Sequence, residues 1–98
     1  MNKFMEMAIE EATFGITNGD GGPFGCVIVK NDKIIAKAYN KKEKNNIATH
    51  HAELLAINKA CKKLKTWHLD DCTLYSTMEP CIMCSGAIIQ SRIKKIVY

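Results

Sequence analysis

Met78-Glu79-Pro80-Cys81-Ile82-Met83-Cys84 carries two thiols in C-x-x-C spacing, directly after a proline. A hydrophobic run follows, and proline suits the first turn of a helix, where its missing N–H costs nothing. Cys81 and Cys84 would then share one helix face and could share one ligand. Both would sit at the positive end of that helix, which favours the thiolate form. Alone, such a pair is either a redox couple or half of a metal site. Upstream, His51-Ala52-Glu53 adds an imidazole and a carboxylate at the start of a second amphipathic run. An isolated histidine there is ordinarily a surface or capping residue, and an isolated first-turn glutamate ordinarily answers the helix dipole. Two helix N-termini that each deliver metal donors, one with an acid beside its donor, are far more specific. They point to a zinc site with His51, Cys81 and Cys84 as ligands.

Three protein ligands are the number found at catalytic zinc, which leaves the fourth position to water; structural zinc takes four. Candidates for a fourth ligand are His50, His68, Cys26, Cys61 and Cys72. Cys61 fits a helix core stripe, and Cys26 and Cys72 fit strand interiors, so these three read as small buried hydrophobes. His50 should point away from its neighbour His51, and His68 should be exposed in a loop. Two thiolates and a neutral imidazole leave Zn2+ with little net charge, so it polarises water less than a three-histidine zinc would. A neighbouring group must then take the water's proton, and Glu53 is placed to do so and to pass protons on to a reacting molecule.

The elements that must position these residues can be read from periodicity. Residues 2–17 predict a helix with Phe4 or Met5, Ala8, Ile9, Ala12 and Ile16 on its buried stripe. Asn18 to Pro23, with three glycines and a proline, predicts a loop. Strands are expected at Phe24–Val29 and Lys33–Tyr39, joined into a hairpin by Asn31-Asp32. Asn40 to Asn46 reads as a solvated, lysine-rich loop. A helix from His51 to about Leu64 should bury Leu54, Ile57, Cys61 and Leu64 and turn Lys59, Lys62 and Lys63 outward. A strand at Cys72–Thr77, the cysteine helix to Gln90 and a last strand at Lys94–Tyr98 complete the order. Strand–helix–strand at this length is a parallel βαβ unit with a right-handed crossover. The fold class is therefore α/β: a four-stranded mixed sheet packed with helices, in a single domain spanning residues 1–98.

Composition narrows the setting. The chain has 98 residues, 47% hydrophobic and 24% charged, ordinary for a globular domain. Five cysteines, an odd number with no signal peptide before them, argue against a disulfide framework and for a reduced, cytoplasmic protein. No apolar run is long enough to span a membrane. A net charge of +4 could attract a polyanion but is within the range of ordinary soluble surfaces. The chain ends inside the last predicted strand, with no polar tail, which predicts a shortened form of a longer fold.

His-x-Glu followed by Pro-Cys-x-x-Cys is the signature of the zinc deaminases, and the chain resembles the cytidine deaminase superfamily over essentially all its length. It looks most like the bacterial guanine deaminases, with the tRNA-specific adenosine deaminases second. Gly21-Gly22-Pro23-Phe24-Gly25 with Val27-Ile28-Val29, Leu69-Asp70-Asp71-Cys72, Leu74-Tyr75 and Gly86-Ala87-Ile88 are similar to the guanine group, whereas Ser91-Arg92-Ile93 looks more like the tRNA group. Ile47-Ala48-Thr49-His50 departs from the Asp-Pro-Thr-Ala that usually precedes His-x-Glu, and Gln90 stands where guanine deaminases can carry an aromatic. Family members also continue beyond this chain's last strand.

The resemblance implies a cytidine deaminase-like layered fold, with zinc on His51, Cys81 and Cys84, proton transfer by Glu53, and substrate contacts from Asn40, Phe24 and Ala52. The amide of Asn40 suits a base edge, having a donor and an acceptor. The implied reaction is hydrolytic deamination of guanine to xanthine and ammonia, carried out by a homodimer. The alternatives are deamination of adenosine in a tRNA loop, and a folded zinc-binding remnant without activity.

Overall fold

A computed structural model describes residues 2–98. Along the chain, helix α1 (Lys3–Asn18) is followed by strands β1 (Gly25–Lys30) and β2 (Lys33–Tyr39) and a short helix α2 (Lys42–Asn45). Helix α3 (Ala52–Leu64), strand β3 (Cys72–Ser76), helix α4 (Ile82–Gln90) and strand β4 (Lys95–Val97) complete it. The strands form one sheet in the order β2-β1-β3-β4. β1 runs antiparallel to both β2 and β3, and β3 and β4 are parallel, so the sheet is mixed and β3–α4–β4 is the expected βαβ unit.

The hairpin forms because Asn31 and Asp32 both adopt positive φ, 51° and 61°, as a two-residue turn matched to the twist of its strands requires. A register shift between Ile28 and Val29 makes room for Ile35 on β2. It leaves Ala36 and Ala38 opposite Ile28 and Cys26, so the four share one sheet face. On that face the core gathers Cys26, Ile28, Leu74, Ala56, Ile57 and Ile88 under α3 and α4. On the other, Val27, Val29 and Tyr75 pack beneath Phe4 and Ala8 of α1. β1 is therefore covered on both sides, which explains its unbroken apolar run.

Helix faces depart from the predicted stripes in an instructive way. α1 buries Phe4, Ala8, Ala12 and Gly15, while Ile9 and Ile16 are exposed. α3 buries Ala52, Glu53, Ala56, Ile57 and Ala60, while Leu54, Cys61 and Leu64 are only half covered. In both helices small residues take the central line, because they let the helix axis approach the sheet, and larger side chains are displaced to the flanks. The segment expected to be a loop at 40–46 contains α2, closed by Asn46 in the left-handed conformation.

The closest approach is at Gly25. A Cβ there would strike the carbonyl oxygen of Ala8 and lie 2.7 Å from the amide nitrogen of Ala12. Gly25→Ala should therefore destabilise the protein by about 1–3 kcal/mol, the range for overpacking a well-filled site. Urea unfolding followed by circular dichroism reads this directly, and an unchanged midpoint would mean that α1 does not seat on β1 in this way.

Candidate metal centre

The two helices beneath the sheet begin at the same place. His51 is the N-cap residue of α3, with φ −75° and ψ 154°, and Cys81 is the N-cap of α4, with φ −69° and ψ 175°. An extended cap residue throws its side chain beyond the helix end rather than along its flank. The sequence expectation put Pro80 in the first turn and Cys81 inside the helix; instead Pro80 precedes the cap. The Cys81 sulfur takes the capping role, accepting the N–H of Cys84 at 3.5 Å. The imidazole of His51 makes no capping bond. It turns to the sulfurs, its Nδ1 lying 3.6 Å from Cys81 Sγ and 3.5 Å from Cys84 Sγ.

Those separations test whether zinc fits. Tetrahedral zinc with Zn–N of about 2.0–2.1 Å and Zn–S of about 2.3 Å requires N···S separations of about 3.6 Å. One donor atom from each of His51, Cys81 and Cys84 lies within 4.8 Å of the others, and among the described residues this is the metal-binding cluster found. The other candidate ligands go elsewhere. Cys26 and Cys72 are buried, and His68 is exposed, facing Asp70 at 3.7 Å. Cys61 is half-buried, and His50 turns away to Asn45, 2.9 Å from its side-chain nitrogen.

Glu53 is 7% exposed, one residue into α3, and shares this corner with two thiols. Burial pushes the Cys84 thiol up, and the nearby Glu53 carboxylate adds to the effect, while the main-chain N–H of Leu54 works the other way. This reverses the expectation, based on the helix dipole alone, that Cys84 is a ready thiolate. A dipole contributes about 0.3–1 kcal/mol at an exposed helix end, and desolvation of a buried thiolate outweighs it. Burial pushes the Cys26 thiol up as well, with Glu53 and then Cys84 contributing. A cation bound among these donors would offset the cost of ionising both thiols.

A cavity of about 270 Å3 opens beside the donors, lined among others by Phe24, Asn40, His51, Glu53 and Cys81. Asn40 is 6% exposed, lines the cavity, and its Oδ1 accepts the N–H of Lys42 at 2.9 Å. Phe24 forms an apolar wall. It is tied to the far side of the cavity through Gly25, whose N–H donates to Thr77 Oγ1 at 3.1 Å and whose carbonyl accepts the N–H of Thr77. Ala52 is not part of the lining. Its methyl is fully buried in the core, so only its main-chain N–H, at the start of α3, remains for a ligand. Lys42, Met78 and Glu79 also line the cavity and were not anticipated. Glu79 stands beside Pro80 within the cysteine motif, but no spacing rule marks Lys42, which α2 brings to the rim.

All 98 residues match the family described as the cytidine and deoxycytidylate deaminase zinc-binding region. The chain belongs to that family. This deaminase-family chain is 50% identical over 95 residues to the guanine deaminase of Bacillus subtilis, an alignment covering 97% of the chain and 61% of that protein. It is 46% identical over 95 residues to the tRNA-specific adenosine deaminase of Aquifex aeolicus, covering 97% and 62%. Superposed on the X-ray structure of the Bacillus subtilis guanine deaminase, it gives a TM-score of 0.96 at 49% identity, covering all of this chain and 64% of the other. The fold is thus the α/β, cytidine deaminase-like one. The chain spans about three-fifths of the length of these curated relatives, 61% and 62%.

Purified protein should contain about one zinc per chain. Cys81→Ser and Cys84→Ser should each lose the metal and lower the unfolding temperature. Metal analysis after growth in zinc-replete medium is the check, and protein that comes out folded but zinc-free would refute the assignment.

Proposed function

We propose that residues 1–98 act as a zinc-dependent hydrolytic deaminase of a nucleobase, with guanine, giving xanthine and ammonia, as the first substrate to test. What carries this reading is that Glu53 and Asn40 line one cavity together with the ligand candidates His51 and Cys81. Zinc, when bound, would make a water acidic enough to be deprotonated near neutral pH. The Glu53 carboxylate would accept one proton from that water and pass it to the ring nitrogen as the oxygen adds to carbon, then carry the hydroxyl proton of the adduct to the departing amine, so that C–NH2 and water become C=O and NH3. Asn40 Nδ2 would donate to the base edge, and Phe24 would cover one side of the ring and exclude water. Higher identity to the guanine deaminase, 50% against 46%, favours guanine.

A second reading, adenosine in a tRNA loop, draws on the near-equal identity of the tRNA enzymes and on Lys42 at the cavity rim with Lys41 and Lys44 beside it. It would require the base to be extruded from its strand. Five free thiols support a reducing, cytoplasmic setting. We infer a homodimer as the working state, supported by Ile82 and Ile89 on α4, which are 92% and 72% exposed. Sedimentation at high concentration that returned only monomer would remove the dimer from this reading.

Ammonia release measured on guanine, adenine, cytosine and tRNA separates the substrates. RNA binding that weakens steeply with salt would favour the tRNA reading. A zinc-loaded protein with no turnover on any of the four would be an inert zinc-binding core. In a form that turns over, Glu53→Gln should keep its zinc and fold but lose activity by a factor of about 10²–10⁴ or more. Comparable activity in that variant would make another group the base.

A further inference from the structure

We infer that Asp20 is a positioning residue for the base-binding end of the cavity, locking the glycine loop to the segment that carries Asn40. The inference rests on the cavity's being a base pocket, but its geometry is independent of the zinc donors. Asp20 is 9% exposed although it lies in a polar loop. Its main-chain N–H donates to the carbonyl of Gly15, so it is anchored to the end of α1. Its carboxylate accepts the hydroxyl of Tyr39 at 2.8 Å and faces the Lys44 ammonium at 3.9 Å. Its carbonyl accepts the main-chain N–H of Lys44 at 2.9 Å. One residue thus holds the end of β2 and the short helix α2 together.

Asn40 is caught between those two partners. It follows Tyr39 directly, and its Oδ1 is held by the N–H of Lys42, the first residue of α2. Its main-chain N–H donates to Phe24 at 3.0 Å. The residue after Asp20 closes the arrangement, since a Cβ on Gly21 would collide with the Asn40 side-chain oxygen. A four-residue helix has little stability of its own, so α2 depends on such outside contacts. Without the Asp20 carboxylate, Tyr39 and Lys44 lose their shared partner, α2 loosens, and the amide of Asn40 loses the N–H that fixes its orientation. No contact of Asp20 reaches His51, Cys81 or Cys84.

The test uses 8-azaguanine as probe and the zinc-loaded chain. Asp20→Ala should keep full zinc content and weaken probe binding by calorimetry roughly tenfold, the equivalent of about 1.4 kcal/mol. Asp20→Asn keeps an acceptor for the Tyr39 hydroxyl and should recover most of the affinity. Tyr39→Phe should reproduce the loss, and the double variant Asp20→Ala/Tyr39→Phe should be no worse than either single change. The Asn40 side-chain amide gives a readout that needs no ligand: its NMR signals should be dispersed in the parent protein and collapse toward the mobile position in Asp20→Ala and in Tyr39→Phe. A merely stabilising role would lower the unfolding temperature while leaving probe affinity and these signals unchanged, and that result overturns the inference. If the parent protein fails to bind the probe, the base-pocket reading falls, and the amide signals still decide whether Asp20 holds Asn40.

Discussion

Everything at the candidate metal centre depends on two helix N-termini meeting beneath one sheet. His51 and Cys81 are both cap residues, and their extended backbones project an imidazole and a sulfur past the helix ends into the same space. Cys84, one turn into α4, completes the set. Ridges and apolar stripes alone do not guarantee that two helices start together. The sheet does so, because α3 packs on β1 and β2 while α4 is delivered by β3, and β1 joins β2 to β3. Small residues on the facing surfaces, Ala36 and Ala38 on the strand and Ala52, Ala56 and Ala60 on the helix, let α3 come close enough.

Convergence creates an electrostatic problem that zinc would resolve. Burial pushes the Cys84 and Cys26 thiols up, and the Glu53 carboxylate beside them adds to it. Helix N–H groups answer part of this, through the Cys84 N–H on the Cys81 sulfur and the Leu54 N–H on Cys84. A dication among the donors answers the rest.

The opposite wall of the cavity is built differently. It has no long element to lend rigidity, only a glycine loop, a four-residue helix and a strand end. Its order comes from side chains that tie these pieces together, Asp20 with Tyr39 and Lys44, and Asn40 with the N–H of Lys42. Gly21 contributes by absence, because any side chain would displace the amide it lies against. A candidate metal centre held by helix termini thus faces a cavity wall held by hydrogen bonds.

The donor set was legible from sequence because cysteine and histidine in these spacings have few other reasons to occur together, and because an apolar run after Pro80 defines a helix whatever it packs against. The hairpin and the βαβ unit followed from periodicity and turn chemistry for the same local reason, whereas the strand order β2-β1-β3-β4 came only from the packed sheet. Which face each helix buries did not. Ile9 and Ile16 fit the α1 stripe as well as Ala8 and Ala12 do, but only the shape of the sheet decides that the small residues go inward. The sequence likewise favoured acidic thiols at a helix end, whereas burial beside Glu53, a contact between distant segments, decides the sign for Cys84. Lys42 at the cavity rim and Asp20 behind it carry no local signature at all. Their positions come from a short helix and a loop that take shape only when β2, α1 and the glycine loop are already packed, so tertiary structure alone assigns them a place.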